Sequence, residues 1–227
     1  MKYTCKEIAQ MIDHSLLRPE LTEEDVSKGC EIAKKYQVAT VCCSPTFVPL
    51  VKKLLEGSSV KVTTVVGFPL GYSRRETKVF EAEQAIKDGA VELDMVLNIG
   101  KLLSRDFEYV KNDIKAVVDI AHKNDVLVKV ILENYYLTDD LKEKACQICE
   151  EAGADWVKTS TGFAEGGATI EDLELMRKTV SEKVQVKAAG GVRDLDMAIR
   201  VKEIGCTRFG ATRTVKILEE CLERESS

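Results

Sequence analysis

Two lysines occupy equivalent places in two neighbouring strand-like segments of the chain. Lys158 lies late in the segment 154–160 (ADWVKTS), and Lys187 lies late in the segment 184–189 (VQVKAA). Because adjacent strands run about 4.8 Å apart, we expect the two amines to approach within roughly 5 Å. At an effective dielectric of about 20 their repulsion is on the order of 3 kcal/mol, and burial adds to it, so the pKa of one lysine falls toward about 7–8. A neutral amine attacks carbonyl carbons, so the pair predicts imine chemistry without deciding which lysine reacts.

The alternation of side chains along the strands predicts which of them face the interior. In the segment 90–97 (AVELDMVL) every second residue from Val91 onward is apolar and suits packing beneath helices, which turns Glu92 and Asp94 inward. The same alternation turns Lys129 inward, together with the two lysines above. A structural ion pair or a misread strand explains a single inward charge, but buried charges are costly unless they are paired or used. The convergence therefore favours a functional interior, in which the Asp94 carboxylate passes protons through water.

One strand–loop–helix pattern repeats along the chain and would position these residues. An N-terminal unit begins with MIDHSLL (11–17) and continues into a helix that Thr22 can cap together with Asp25. Eight such units in about 230 residues predict an α/β fold, a single-domain (β/α)8 TIM barrel over residues 1–227 with a short N-terminal strand and helix unit. A doubly wound open sheet is the rival, but no glycine-rich dinucleotide fingerprint follows the first strand. The other predicted strands are 38–43, 60–66, 90–97, 126–132, 154–160, 184–189 and 207–211, and helical patterns include 76–87, 108–122 and 138–152.

The composition narrows the classes of partner. A formal net charge of −5 and the lack of a Lys/Arg block predict no nucleic-acid binding. No apolar run reaches the roughly 18 residues of a membrane helix, and no signal-peptide core follows Met1, so we expect no membrane association. The eight cysteines show no zinc spacing and the chain has two histidines, which favours reduced core thiols, no metal site and a cytoplasmic location.

At these residues the chain resembles the deoxyribose-phosphate aldolases, a family of class I aldolases with a (β/α)8 fold. The resemblance implies reversible cleavage of 2-deoxy-D-ribose 5-phosphate to acetaldehyde and D-glyceraldehyde 3-phosphate, in a homodimer or homotetramer. It extends over nearly the whole chain, and its segments are specific only in combination. They are IDHSLL (12–17), VATVCCSP (38–45), GFPLG (67–71), EAEQAIKDGAVELDMVLNIG (81–100), KVILE (129–133), VKTSTGF (157–163), VKAAGGVR (186–193) and RFGAT (208–212).

The resemblance also implies roles for the inward residues. Lys158 would form the Schiff base, and Lys187 would be the neighbour that lowers its pKa. Asp94 would work with a water molecule to move protons on and off the carbinolamine and the imine. No metal or organic cofactor is expected, because the protonated imine is itself the electron sink.

For the substrate phosphate, the resemblance implies binding by backbone amides after the last strands. Glycines permit close approach of the backbone and helix starts attract anions, although glycines also serve ordinary turns. The site after strands seven and eight is a recurrent phosphate site of barrels. The matching positions are Gly162, Gly190, Gly191, Gly210, Thr212 and Arg213.

Three further residues near the first two strands have alternative interpretations. Cys42 matches a family active-site cysteine, and we expect it to line the pocket without being essential, since cysteine is more often a buried small hydrophobe. Asp13 and His14 could form a structural hydrogen bond with each other or face the substrate, and the resemblance favours a pocket position for Asp13.

The chain departs from the family pattern around the mouth of the predicted barrel. Thr212 and Arg213 replace two small residues, so Arg213 either contacts phosphate or points to solvent. The loop 71–78 is more basic than usual, and ENYY (133–136) replaces a Glu-Thr-Gly. These changes leave the identity of the sugar undecided. One alternative is therefore an aldolase that acts on another phosphosugar, and a second alternative is a non-catalytic sugar-phosphate sensor.

Overall fold

The computed structural model describes residues 2–226 and contains a closed barrel of eight parallel strands. The strands follow one another around the barrel in chain order, and β8 pairs with β1 to close it. The predicted (β/α)8 fold is therefore confirmed. The strands are β1 (Ile12–Leu16), β2 (Thr40–Cys43), β3 (Lys61–Val66), β4 (Glu92–Val96), β5 (Leu127–Ile131), β6 (Trp156–Lys158), β7 (Gln185–Ala188) and β8 (Arg208–Ala211).

Helices connect the strands and cover the outside of the barrel. A short helix outside the predicted strand and helix units precedes β1, and two 3-10 turns at Pro45–Phe47 and Asn134–Tyr136 follow β2 and β5. No helix among residues 2–226 is long and apolar enough to cross a membrane. The helices are α1 (Cys5–Ala9), α2 (Glu23–Tyr36), α3 (Val48–Leu54), α4 (Arg75–Asp88), α5 (Ile99–Leu103), α6 (Phe107–Lys123), α7 (Asp139–Glu151), α8 (Ile170–Thr179), α9 (Leu195–Ile204) and α10 (Thr214–Glu225).

The helix boundaries follow local capping chemistry. At the start of α2 the Thr22 hydroxyl accepts a hydrogen bond from the Asp25 backbone N–H, and the Asp25 carboxylate accepts one from the Thr22 N–H, as the sequence predicts. At the end of α4 the chain turns at Gly89, which adopts the left-handed conformation that favours glycine. These local signals explain why the predicted start of α2 and the predicted bounds of α4 lie within one residue of the observed ones.

The strand register places the charged residues in the barrel interior. Asp94 pairs with Lys129 across β4 and β5, and Lys158 pairs with Lys187 across β6 and β7. All four are buried, in agreement with the predicted alternation. The prediction was wrong at Val91, which is 40% exposed because it precedes β4 at the rim, where the helices do not cover it.

Six of the eight cysteines are buried free thiols, but the other two are joined. Cys5 of α1 and Cys221 of α10 form a disulfide across a Cα–Cα distance of 5.6 Å. The expectation of reduced thiols is therefore wrong for this pair. The pairing was not readable from the sequence because 216 positions separate the two cysteines, and only barrel closure brings α1 against α10.

Replacing Cys221 with serine should destabilise the oxidised protein without changing its activity. A disulfide that closes so long a loop restricts the unfolded chain, and its loss typically costs about 2–4 kcal/mol. In a chain of this size that corresponds to a decrease in Tm of roughly 4–16 °C, measurable by calorimetry. Reductant should lower the Tm of the wild type to that of the variant. An unchanged wild-type Tm under reducing conditions would show that the bond does not stabilise the fold.

Candidate active site

The Asp94 carboxylate lies at the centre of the buried charges. Its Oδ2 accepts hydrogen bonds from Lys158 Nζ at 2.6 Å and from Lys187 Nζ at 2.7 Å, and its Oδ1 accepts one from Lys129 Nζ at 3.0 Å. Burial tends to raise the pKa of Asp94, but the three ammonium groups outweigh it and hold this pKa well below its usual value. Asp94 therefore stays a carboxylate in contact with both candidate nucleophiles.

Two further carboxylates complete the network. Asp13 accepts hydrogen bonds from Lys187, from the Thr40 hydroxyl at 2.9 Å and from Arg208 at 2.5 Å. Glu92 pairs with Arg208 at 2.9 Å and with Lys129 at 2.5 Å. Four cations thus face three carboxylates in a buried interior. Loss of one proton from this set makes it electrically neutral, which is the state that a low-dielectric environment favours.

The surroundings distinguish the two lysines that the sequence left equivalent. Burial is the largest cause that lowers the pKa of Lys158, and the neighbouring Lys187 ammonium lowers it further. The Asp94 carboxylate acts in the opposite direction but does not outweigh these two effects. Burial also acts on Lys187, but the charges of Asp13 and Asp94 outweigh it and raise the pKa of Lys187. Lys158 is therefore the amine that loses its proton more readily, and Lys187 holds its proton more strongly. Repulsion contributes as expected, but burial is the larger cause.

Both lysines border a cavity of about 200 Å³ at the C-terminal end of the barrel. Its walls come from segments at β1, β2, β6, β7 and β8, which are contiguous around the barrel. Ten of the candidate residues line this cavity, whereas His14, Glu92 and Lys129 do not, and Asp94 lies beneath it and is hydrogen-bonded to both lysines. The ten lining residues are Asp13, Cys42, Lys158, Gly162, Lys187, Gly190, Gly191, Gly210, Thr212 and Arg213.

Backbone loops form the rim of the cavity after β6, β7 and β8. Gly190 and Gly191 have φ values of 71° and 98°, in the left-handed region that favours glycine, so the loop after β7 turns sharply at the cavity edge. Gly167 packs directly against this turn, where a Cβ atom would lie 2.8 Å from the Gly190 carbonyl carbon. After β8, the chain enters α10 at Thr214, immediately beyond Arg213. Glycine turns and a helix start therefore border one end of the cavity, an arrangement suited to an anion.

The alternatives for the residues near β1 and β2 are now distinguished. Asp13 points into the barrel, where it bonds to Lys187. His14 points to the helices, where its Nδ1 lies 2.8 Å from the Thr214 Oγ1. Asp13 and His14 therefore do not bond to each other. Burial lowers the pKa of His14 to about 4. Burial raises the pKa of Cys42 to about 12, so Cys42 lines the cavity as a neutral thiol.

Two residues of the site, Arg208 and Trp156, were not predicted from the sequence. The Arg208 guanidinium lies 5.5 Å and the Lys129 ammonium 5.6 Å from the centre of the partly buried Trp156 ring, so this ring supports two cations. Arg208 shares the inward alternation of Gly210 in β8, and that signal could have identified it. Among residues 2–226, no group of three or more His, Cys, Asp or Glu side chains is arranged to hold a metal ion.

Comparison with known proteins identifies related chains. Residues 7–212 match the family model described as DeoC/LacD family aldolase. A deoxyribose-phosphate aldolase of Caldanaerobacter subterraneus subsp. tengcongensis is 54% identical over 214 residues, which are 94% of this chain and 93% of that protein. One of Thermococcus kodakarensis is 52% identical over 216 residues, 94% of this chain and 96% of that protein.

Solved structures show the same architecture. The crystal structure of a putative deoxyribose-phosphate aldolase from Coccidioides immitis superposes with a TM-score of 0.93 at 40% identity, covering 96% of this chain and 87% of that one. The deoxyribose phosphate aldolase from Aeropyrum pernix, described as a unique tetrameric structure, gives a TM-score of 0.88 at 33% identity, covering 95% and 91%.

Proposed function

The chain belongs to the DeoC/LacD family of aldolases, and we propose that it is a class I aldolase that reversibly cleaves 2-deoxy-D-ribose 5-phosphate to acetaldehyde and D-glyceraldehyde 3-phosphate. The observation that carries this proposal is the buried Lys158 amine at the cavity, in contact with Asp94 and with its pKa lowered. An amine of this kind is the nucleophile that carbonyl substrates require.

The reaction begins when neutral Lys158 attacks the C1 aldehyde of the open-chain sugar. The resulting carbinolamine loses water to form a protonated imine, which draws electrons from the C2–C3 bond. As that bond breaks, the C3 hydroxyl gives up its proton and becomes the aldehyde of glyceraldehyde 3-phosphate, while C1 and C2 remain on Lys158 as an enamine. Protonation of the enamine at C2 and hydrolysis of the imine release acetaldehyde and restore the amine.

Asp94, beneath the cavity, and Lys187, in its wall, support these proton transfers. Asp94 bonds to both amines through one oxygen, so it can take and return protons during carbinolamine formation and dehydration, with a water molecule extending its reach. Lys187 keeps its charge because Asp13 also binds it, and that charge disfavours protonation of Lys158. The pairing with two carboxylates explains why Lys187 acts as a fixed positive charge and not as a second nucleophile.

The phosphate end of the substrate would occupy the rim that the glycine loops form. Gly162 after β6, Gly190 and Gly191 after β7, and Gly210 within β8 line the cavity with backbone, and the start of α10 adds its dipole. Thr212 and Arg213 lie on the same rim and add a hydroxyl and a positive charge. An anion held there leaves the aldehyde end of the sugar directed toward Lys158.

Turnover of 2-deoxyribose 5-phosphate by the purified protein should be detectable in an assay that couples glyceraldehyde 3-phosphate to a dehydrogenase. We expect a kcat/KM on the order of 10⁴ M⁻¹s⁻¹ or above, as is usual for an enzyme on its own substrate. A parallel panel of aldose phosphates tests the alternative that another phosphosugar is preferred. Phosphosugar binding without turnover of any member would contradict the proposal and support the sensor interpretation.

We also propose that the protein acts in the cytoplasm as a homodimer or homotetramer. The Aeropyrum pernix relative is described as a tetramer, which supports an oligomeric state without deciding between a dimer and a tetramer. Light scattering on the purified protein distinguishes a monomer, a dimer and a tetramer.

A further inference from the structure

The loops after β1 and β6 meet above the cavity, although their strands are not neighbours in the barrel. The Arg18 guanidinium lies 5.5 Å from the centre of the Phe163 ring, and both residues line the cavity. Between their strands around the barrel lie β7 and β8, whose glycine loops form the rest of the rim. The contact between Arg18 and Phe163 therefore closes a ring of loops around the end of the cavity where we place the phosphate.

Phe163 is held firmly in this position. Its backbone N–H donates to the Thr161 hydroxyl oxygen at 3.0 Å, and Thr161 in turn donates its N–H and its hydroxyl hydrogen to the buried Glu133 carboxylate. The Phe163 ring also packs edge to face on Phe68 of the loop after β3, with centroids 5.2 Å apart. The Phe163 side chain is still 41% exposed, so the ring is held at the surface and is not buried in the core.

Arg18 presents an uncompensated charge at this place. Its side chain is exposed, and within residues 2–226 no carboxylate lies at salt-bridge distance from it. With Lys158 neutral, the charged side chains that line the cavity within residues 2–226 are four cations and one carboxylate, Asp13, although the whole chain has a net charge of −5. Such a cavity attracts an anion, and a guanidinium binds a phosphate through two parallel hydrogen bonds.

We propose that Arg18 contacts the substrate phosphate and that Phe163 is the positioning residue that holds the guanidinium over the cavity. This inference rests on the proposed function, because it assigns a recognition group to the same substrate. Arg193 and Arg213 also line the rim, but no aromatic ring supports either guanidinium among the described residues. Because the Arg18 guanidinium already packs on the Phe163 ring before the substrate binds, the Arg18 side chain loses less conformational entropy when it contacts the phosphate.

Replacing Arg18 with alanine tests the contact. With 2-deoxyribose 5-phosphate we expect kcat/KM to fall about 10- to 30-fold, mainly through a higher KM. With unphosphorylated 2-deoxyribose we expect less than about a twofold change, since that sugar lacks the group that Arg18 binds. Inorganic phosphate should inhibit cleavage of 2-deoxyribose, and its inhibition constant should rise by a similar factor in the variant. The matched control is Arg200→Ala on α9, an exposed arginine outside the cavity, which should leave all these values unchanged.

Replacing Phe163 with leucine tests the positioning role. Leucine keeps apolar bulk but removes the ring face, so we expect a two- to fivefold loss with the phosphorylated sugar alone. The double variant Arg18→Ala/Phe163→Leu should be no worse than Arg18→Ala, because both changes remove one interaction. Equal losses on both sugars, or an unchanged phosphate inhibition constant in Arg18→Ala, would overturn the inference. If the wild type does not cleave the phosphorylated sugar, the proposed function fails instead, and calorimetric binding of inorganic phosphate to wild type and Arg18→Ala still decides the role of Arg18.

Discussion

Turnover should disappear when Lys158 is replaced by alanine, with kcat falling by at least about 10⁴-fold. No other lysine can take over the attack. Lys187 is held by Asp13 and Asp94 with a raised pKa, and Lys129 is bound to Asp94 and Glu92 beneath the cavity. Both remain ammonium groups at neutral pH and lack the lone pair that the imine needs. The measurement is the coupled assay at saturating 2-deoxyribose 5-phosphate.

Covalent trapping gives this prediction a readout that does not depend on the substrate. Acetaldehyde and borohydride should add one ethyl group to the wild type, and peptide mapping should locate it on Lys158. Lys158→Ala should stay unlabelled, whereas Lys115→Ala, which removes an exposed lysine of α6, should be labelled like the wild type. Labelling of Lys187 in the Lys158→Ala protein would show that the two amines are interchangeable. A thermal scan excludes unfolding as the cause of inactivity, and Lys158→Met serves where alanine leaves a cavity that weakens the fold.

The convergence of charges in the barrel could be predicted because it depends on a local rule. Side chains alternate along a strand with a period of two, so the apolar face of β4 was enough to turn Glu92 and Asp94 inward. Lys129, Lys158 and Lys187 followed from the same rule on three other strands. The (β/α)8 fold followed from the repeated units in the same way, since each unit carries its own strand and helix signals.

The pairing of those charges could not be predicted, because it depends on contacts between distant strands. Asp13 of β1 decides which lysine stays protonated, yet 174 positions separate it from Lys187. Barrel closure alone brings β1 beside β8 and places Arg208 between Asp13 and Glu92. Sequence reasoning therefore found the nucleophilic pair but could not choose between its members. The same limit applies to the disulfide and to the contact between Arg18 and Phe163.

The second large effect is expected from Lys187→Met, which should move the activity profile to higher pH. The two Nζ atoms share one Asp94 oxygen and lie no more than about 5 Å apart, so the Lys187 charge disfavours protonated Lys158 by about 3 kcal/mol at an effective dielectric of 20. Without that charge, Asp94 pairs more strongly with Lys158, and the pKa of Lys158 rises. At any given pH a smaller fraction of Lys158 is then neutral. The acidic limb of the kcat/KM profile should therefore shift to higher pH, and activity at pH 7 should fall about 10- to 100-fold.

Lys129→Met is the matched control for this shift, because it removes another buried ammonium bound to Asp94. Lys129 bonds to Oδ1, on the side away from the oxygen that Lys158 contacts, and Arg208 still pairs with Asp13 and Glu92 in its absence. Removing Lys129 also takes one positive charge from the set, but from the far side of Asp94, so we expect its acidic limb to rise less than that of Lys187→Met. Equal shifts in both variants would mean that the total interior charge sets the pKa of Lys158. A shift of the acidic limb mainly in Lys187→Met would show that the pKa of Lys158 depends on the Lys187 ammonium, which shares the Asp94 Oδ2 with Lys158.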